Sequence, residues 1–327
     1  MRFYVGTYSV EGSPGIAVCE LWGNQLVMVA QDTQLQSPTW LTLSACRRYL
    51  YAHGRDESGE QVVCSFLTSQ SGLTLLSKSS THGNSTCHLS LDPDEKLLIA
   101  SHYHEGRISL YPVHEGVIGA QKQLVQQYGR GPNQERQEGP HAHQSLMRPG
   151  HPEVFTCDLG ADRVFIYHLD SRLVLIDDIP LPAGSGPRHL VFDGDTRFYV
   201  CAELNNEVYC FVRRANAWHM DQVLSTLPHP VDGNTCAAIR LFGDELYVSN
   251  RGHDSIARFQ RTSDGALTAQ GHISAHGKGP RDFVRVPGGF LIANQLAGGV
   301  QYLDPAGMPV ASLDIPGAVC VAGTENW

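Results

Sequence analysis

The sequence predicts an all-β protein that folds as a single seven-bladed β-propeller over residues 1–327. Two observations favour this fold. A short strand-like run recurs about every 45 residues along the whole chain. Glycine and proline, with 33 and 18 residues, interrupt the chain too often for long helices. Three strands and a weaker fourth within such a period are typical of a propeller blade.

The central run of each repeat is apolar and ends in small or polar residues. The seven copies begin at Phe3, Leu50, Leu98, Val154, Phe198, Leu246 and Phe290. The intervals between them are 47, 48, 56, 44, 48 and 44 residues. A β-sandwich has no reason for such a period, and a βαβ repeat would need amphipathic helices that the pattern lacks.

Further strand-like runs flank the central one. An alternating apolar and polar run follows most copies, as at 162–167 and 206–211. A shorter apolar run, such as 187–190, precedes each copy from the second onward. The first copy has no preceding run, whereas 315–321 is a spare strand near the end of the sequence. We therefore expect the C-terminal strand to pair with the N-terminal strand and to close the ring, which removes exposed sheet edges.

Composition excludes several classes of protein. The formal net charge of −9 weighs against nucleic acid as a partner, because phosphate binding needs a basic surface. No apolar run approaches the roughly 20 residues needed to span a membrane, and the N-terminus lacks the apolar core of a signal peptide. The nine cysteines are scattered, and most lie in apolar runs, as expected for buried side chains in a reducing compartment. We expect a cytoplasmic protein that binds neither membrane nor nucleic acid.

The phase of the repeat predicts where a site lies. The innermost strand of every propeller blade lines one central channel, so residues at one phase form a ring. The first ring follows the proline, or its equivalent, that introduces each blade: Thr39, Cys87, His141, Arg188, Ala237 and Arg281. The second ring follows the central run: Tyr8, Arg55, Tyr103, Leu159, Glu203, Arg251 and Gln295.

Both rings hold charged residues where structural strands would have none. Arg188 introduces the blade that carries Glu203, and Arg251 occupies the same phase in the next blade. Arginine binds carboxylate or phosphate through its planar fork. His141 and His143, at i and i+2, would face the same way on a strand, and histidine titrates near neutral pH. This combination predicts a site for an anionic substrate with an acid or base nearby.

Each of these residues also has a structural explanation. The two histidines of the His-x-His pair could bind zinc with His88, His102 and His104, although no cysteine or carboxylate is spaced to complete the set. Glu203 could form a salt bridge with a neighbouring arginine, which could also position it for proton transfer. The arginines could donate to backbone carbonyls between blades, and Arg281 could pair with the aspartate that follows it.

Several motifs are shared with a known family. They are Gly139-Pro140-His141-Ala142-His143-Gln144, Gly184-Ser185-Gly186-Pro187-Arg188-His189-Leu190, Glu203-Leu204-Asn205, Ser249-Asn250-Arg251-Gly252, and the segments 3–8, 87–94 and 279–283. Over essentially its whole length, the chain resembles the seven-bladed propeller lactonases of the 6-phosphogluconolactonase type, which are also similar to fungal muconate cycloisomerases.

The resemblance implies hydrolysis of an acidic sugar lactone, with 6-phosphogluconolactone as the leading substrate, in the pentose phosphate pathway. It assigns the chemistry to His143 (or His141), Arg188, Glu203 and Arg251, with no metal and no cofactor. The arginines would bind the anionic group and polarise the lactone carbonyl, while Glu203 or His143 would deprotonate the attacking water. The predicted substrate-binding residues are His141, His88, Arg281, His102 and Tyr103.

Two alternatives to this function stay open. The same arginines could serve a lactonase or cycloisomerase that acts on another carboxylate-bearing lactone. A propeller can also bind a partner protein without catalysis, because the fold alone does not determine the function. The sequence does not determine the oligomeric state, and we expect a monomer or a weak dimer.

Overall fold

The computed structural model describes residues 1–323, which form seven antiparallel β-sheets and no helix. The all-β prediction is therefore confirmed. Contacts within the chain are dense in each of two units. Of the described residues, unit one comprises 1–100, 109–122 and 274–323, and unit two comprises 101–108 and 123–273. The single domain over 1–327 stays a prediction, and its last four residues, 324–327, lie outside the described residues.

The strands are numbered in chain order. The first twelve are β1 (Arg2–Thr7), β2 (Ile16–Trp22), β3 (Gln25–Asp32), β4 (Leu41–Leu43), β5 (Tyr49–Arg55), β6 (Gln61–Ser69), β7 (Gly72–Ser80), β8 (Thr86–Leu91), β9 (Leu97–His102), β10 (Arg107–His114), β11 (Val117–Ile118) and β12 (Gln123–Gln126). The next eight are β13 (Ala142–Met147), β14 (Glu153–Asp158), β15 (Arg163–Leu169), β16 (Leu173–Pro180), β17 (Pro187–Phe192), β18 (Arg197–Ala202), β19 (Glu207–Arg214) and β20 (Ala217–Ser225). The last nine are β21 (Thr235–Phe242), β22 (Glu245–Arg251), β23 (Ser255–Arg261), β24 (Leu267–Ser274), β25 (Lys278–Val286), β26 (Gly289–Ala297), β27 (Val300–Leu303), β28 (Pro309–Leu313) and β29 (Ala318–Ala322).

The sheets are up-and-down meanders of consecutive strands, except that β29 joins β1–β3 and β12 pairs with β10. Unit two contains the sheets β13–β16, β17–β20 and β21–β24. Unit one contains β4–β7, β25–β28, the sheet β29-β1-β2-β3 and most of the sheet β11-β10-β9-β8, which also includes β12. The predicted central runs are the second strands of these sheets: 154–157 lies in β14, and 198–202 lies in β18.

The C-terminal strand completes the sheet of the N-terminal strand. β29 pairs antiparallel with β1, with Val321 opposite Val5 and Cys320 opposite Gly6. Val321 is buried in an apolar cluster that also contains Phe3 and Ile315. The predicted pairing is therefore confirmed, and β1 has a partner on both sides.

Apolar cores lie between neighbouring sheets. In unit two, the side chains of β14, β15, β18 and β19 form one such core between the first two sheets. The rings of Phe198 and Phe211 stack there with centroids 4.8 Å apart, and Trp218 approaches Phe198 edge-on at 4.9 Å. Aromatic side chains bury a large apolar area, so this packing stabilises the strands whose ends carry the loops.

Candidate functional site

A β-bulge presents the first candidate residue of unit two. In the pairing of β13 with β14, Ala142 lies opposite Asp158 and Gln144 lies opposite Cys157. His143 is therefore the extra residue of this bulge. A bulge of this kind re-aims one side chain out of the regular alternation of a strand.

The same irregularity occurs in two other first strands. Arg188 is the extra residue of β17 between Pro187 and His189, and Arg281 is the extra residue of β25. His143 is thus the structural equivalent of these arginines. The prediction that His141 aligns with Arg188 is wrong. Pro187 directly precedes the bulge residue Arg188, whereas Pro140 lies three residues before the bulge residue His143.

Glu203 is the centre of a group of three arginines. It follows β18, and only 4% of its surface is exposed. Its Oε2 lies 2.9 Å from Nε of Arg188 and 2.9 Å from Nη2 of Arg251, while its Oε1 lies 2.6 Å from Nη2 of Arg136. We call these four residues the Glu203 cluster. Three positive charges against one negative charge leave a surplus that suits an anionic ligand.

The arginines determine the protonation state of Glu203. Burial would raise the pKa of this carboxyl, but the charges of Arg251, Arg188, His143 and Arg136 outweigh burial and hold the pKa well below its usual range. A general base works best when its pKa lies near the working pH. Glu203 is therefore a permanent carboxylate that orients the arginines, and a poor acceptor of a proton from water.

Arg136 is a member of the cluster that the sequence analysis missed. It lies in the connection between β12 and β13, and its Nη2 also donates to the hydroxyl of Tyr103 at 3.3 Å. The sequence does contain a signal for this connection. The interval between the third and fourth copies of the repeat is 56 residues, against 44 to 48 for the others, so this blade carries an insertion.

The insertion is anchored by a buried amide. Gln137 has no exposed surface, and its Nε2 donates to Oδ1 of Asp162 at 2.7 Å. The same Oδ1 accepts the backbone N–H of Gly186 at 2.8 Å, in the loop that leads into β17. One carboxylate therefore fixes the segments that carry both Arg136 and Arg188.

The two histidines of the His-x-His pair have different surroundings. The ring of His141 stacks on Tyr103, with centroids 4.5 Å apart. Its Nδ1 lies 2.9 Å from the carbonyl oxygen of Tyr103, and its Nε2 lies 3.2 Å from Oε2 of Glu138. Both ring nitrogens of His141 already face acceptors. The ring of His143 lies 5.7 Å from Tyr103 and 5.0 Å from His189, edge-on to both.

The other predicted site residues have the following contacts and burial. His88 is buried in unit one with its ring 4.4 Å from Trp40. Arg281, also in unit one, lies over the ring of Tyr8 at 5.3 Å and donates to Oε1 of Gln295 at 3.1 Å. His102 is fully buried at the end of β9. Their roles in substrate binding stay predictions.

Metal binding is an alternative role for the histidines. Among residues 1–323, no group of three or more histidine, cysteine, aspartate or glutamate side chains is placed to hold a metal ion. The zinc alternative with His88, His102 and His104 therefore has no ligand set in this part of the chain. No helix of the same residues is long and apolar enough to cross a membrane.

Comparison with known proteins identifies the family. Residues 2–304 match the family model described as "Lactonase, 7-bladed beta-propeller". The chain is 34% identical over 304 residues to the 6-phosphogluconolactonase of Bacillus subtilis (strain 168), covering 89% of this chain and 87% of the relative. The chain belongs to the seven-bladed β-propeller lactonase family, which confirms both the predicted fold class and the resemblance.

Solved structures agree over almost the full length. A protein from Lactobacillus plantarum superposes with a TM-score of 0.89 at 28% identity, covering 99% of both chains. A periplasmic gluconolactonase, PpgL, from Pseudomonas aeruginosa superposes with a TM-score of 0.87 at 26% identity, covering 98% of both chains. The latter shows that a similar fold belongs to a protein named for an unphosphorylated lactone.

Proposed function

We propose that this protein hydrolyses 6-phosphogluconolactone to 6-phosphogluconate. The family and the Bacillus relative confirm the predicted class of enzyme, a lactone hydrolase. The observation that carries the proposal furthest is the Glu203 cluster. It concentrates three guanidinium groups on one buried carboxylate in a chain whose net charge is −9. Such a site attracts an anionic substrate that the rest of the protein would repel.

The arginines supply the electrostatic part of the mechanism. Hydrolysis of a lactone passes through a tetrahedral intermediate whose former carbonyl oxygen carries a negative charge. Donors already fixed around that oxygen lower the barrier, because they do not need to reorganise during the reaction. Arg251 and Arg188 fill this role, since Glu203 and backbone carbonyls hold both guanidinium groups in place.

His143 moves the proton. It takes a proton from water as the water oxygen bonds to the lactone carbonyl carbon. When the intermediate collapses, the bond from that carbon to the ring oxygen breaks, and His143 returns the proton to the leaving oxygen. Glu203 is ionised throughout and keeps the arginines in position. His141 holds Tyr103 through stacking and its Nδ1 contact.

The compartment and the partners follow from the same chemistry. All nine cysteines are free thiols, and seven of them are buried. Burial raises the pKa of Cys201 to about 11, so this thiol is inert. Free thiols and a phosphorylated sugar substrate favour the cytoplasm. The partner that we propose is a small anionic sugar lactone, and neither nucleic acid nor a membrane is needed.

The test of this function uses purified protein and freshly made substrate. 6-Phosphogluconolactone is generated in situ by oxidation of glucose 6-phosphate, and its loss is followed by NMR with and without a chelator. We expect hydrolysis far above the spontaneous rate and resistant to the chelator. A rate equal to the spontaneous background would refute the proposal. Activity only on glucono-1,5-lactone or on a carboxylated lactone would identify another substrate of the same site.

A further inference from the structure

We propose that Arg136 is the residue that makes the site specific for a phosphorylated lactone, by binding the phosphate group of the substrate. This inference rests on the proposed function and assigns a role to a residue outside the repeat pattern. The insertion that carries Arg136 is then the element that distinguishes a phosphorylated from an unphosphorylated sugar lactone.

The three arginines of the Glu203 cluster differ in their exposure. The side chain of Arg188 is 4% exposed, that of Arg251 is 16% exposed and that of Arg136 is 37% exposed. They therefore form a gradient from the buried interior of the site to its solvent side. In the δ-lactone ring, the carbonyl carbon and the carbon that bears the phosphate arm both flank the ring oxygen, so the phosphate lies beside the reacting carbonyl. Arg136 likewise lies beside Arg188 and Arg251, because all three contact the same carboxylate. A substrate whose carbonyl meets the two more buried arginines therefore places its phosphate within reach of Arg136 on the solvent side.

Arg136 also has donors left for a ligand. A guanidinium group carries five N–H donors. The side-chain contacts of Arg136, to Glu203 and to the hydroxyl of Tyr103, both use Nη2. Among residues 1–323, Nε and Nη1 of Arg136 form no hydrogen bond or ion pair, and this side chain reaches solvent. Arginine N–H groups form strong, charge-assisted hydrogen bonds with phosphate oxygens.

The insertion holds Arg136 in place before the substrate binds. The backbone N–H of Arg136 donates to Oδ1 of Asn133 at 3.1 Å, and that of Gln137 donates to the carbonyl of Asn133 at 2.7 Å. The buried Gln137 then ties this turn to Asp162. A residue fixed in its binding position loses little conformational freedom when the ligand arrives, and this raises affinity.

The experiment compares two substrates in two variants. Arg136→Gln removes the charge, while Arg130→Gln removes an exposed arginine of the same insertion that lies outside the cluster. We expect Arg136→Gln to lower the ratio of kcat/KM for 6-phosphogluconolactone to that for glucono-1,5-lactone at least ~10-fold. Arg130→Gln should keep the wild-type ratio. An unchanged ratio in folded Arg136→Gln would overturn this inference.

A binding measurement gives a second readout that does not depend on turnover. The dissociation constants of 6-phosphogluconate and gluconate are measured by calorimetry. Arg136→Gln should weaken the binding of 6-phosphogluconate at least ~10-fold and weaken the binding of gluconate much less. Equal weakening of both would show that Arg136 supports the site only structurally. If the wild-type protein hydrolyses neither lactone, the proposed function itself fails, and this outcome is distinct from an unchanged ratio.

Discussion

At the scale of single residues, the role of a carboxylate depends on its neighbours. Glu203 and Asp158 are both buried at the ends of second strands of unit two. Three arginines surround Glu203 and keep it ionised. Asp158 accepts the backbone N–H groups of His141 and Ala161. It forms no ion pair with an arginine or lysine among residues 1–323. The stability contributions of these two carboxyl groups are therefore expected to depend on pH in opposite directions.

The substitution Glu203→Gln should reduce both stability and activity. Without the carboxylate, three guanidinium groups face one another, and removal of one partner from a buried ion pair costs about 3–5 kcal/mol. Urea unfolding should show this loss at pH 7. Because the folded pKa is depressed, the contribution of Glu203 is present at neutral pH and is lost only as the pH falls through that low value. Glu138→Gln, at an exposed carboxylate, is the control; an equal unfolding midpoint in both variants would contradict the account.

The two histidines should respond differently to substitution. His143→Gln should lower kcat/KM at least ~100-fold and remove the histidine limb of the pH profile, because proton transfer by a positioned residue contributes 10²–10⁴-fold, roughly. His141→Gln should have a smaller effect, since both nitrogens of His141 face protein acceptors. Steady-state kinetics from pH 5 to pH 9, roughly the range in which histidine titrates, measure both variants. A larger loss of kcat/KM in His141→Gln than in His143→Gln would show that His143 is not the residue that transfers the proton.

Asp158 should make stability depend on pH. Burial raises the pKa of Asp158 to about 6, above the ~3.9 of an unfolded chain. Its contribution to stability is therefore fully present below about pH 4 and is lost as the pH rises through about 6. The unfolding free energy of wild type minus that of Asp158→Asn should fall by about 2–3 kcal/mol between those values. The exposed Asp94→Asn is the control, and a difference that does not change with pH would be inconsistent with this role.

At the scale of elements, regular strands were predictable and irregular segments were not. The run 154–157 was predicted as a strand because apolar side chains recur with the period of the repeat, and it lies in β14. The bulge at His143 depends on the pairing of two strands, so a single strand sequence does not reveal it. The alignment of Gly-Pro dipeptides therefore selected His141. The contact between Arg136 and Glu203 joins residues 67 positions apart and was outside any local pattern.

The anchor of the insertion can be tested without removing Arg136. Gln137→Ala deletes the buried amide that donates to Asp162, and the loss of such a hydrogen bond costs about 1–3 kcal/mol. We expect Gln137→Ala to lower the ratio of kcat/KM for the phosphorylated lactone to that for the unphosphorylated one, but less than Arg136→Gln does. The arginine remains in this variant but is less well fixed. The exposed Gln134→Ala is the matched control on the same insertion. A wild-type ratio of kcat/KM for the two lactones in Gln137→Ala would argue against positioning by this anchor.

At the scale of the whole molecule, the pairing of the first and last strands should be essential for stability. Val321→Asp places a carboxylate in an apolar cluster. The backbone N–H of the same residue already donates to Oδ2 of Asp282. An unpaired buried charge is among the few changes that cost more than about 4 kcal/mol. Val27→Asp, on the exposed edge strand of the same sheet, is the control. In thermal unfolding, Val321→Asp should melt at a much lower temperature than Val27→Asp. Equal melting temperatures would contradict the closure of the fold through β29.

In the proposed function, the Glu203 cluster binds and activates an anionic lactone. Its most direct test is kcat/KM of Arg251→Ala on 6-phosphogluconolactone, with Arg258→Ala, which breaks an ion pair with Glu245 on the same sheet, as the control. Loss of one oxyanion donor costs about 100-fold or more. We expect such a loss in Arg251→Ala, with a smaller change in the unfolding midpoint than in Glu203→Gln because two arginines still pair with Glu203. Arg258→Ala should keep wild-type activity. Full activity of a folded Arg251→Ala protein would show that hydrolysis takes place elsewhere.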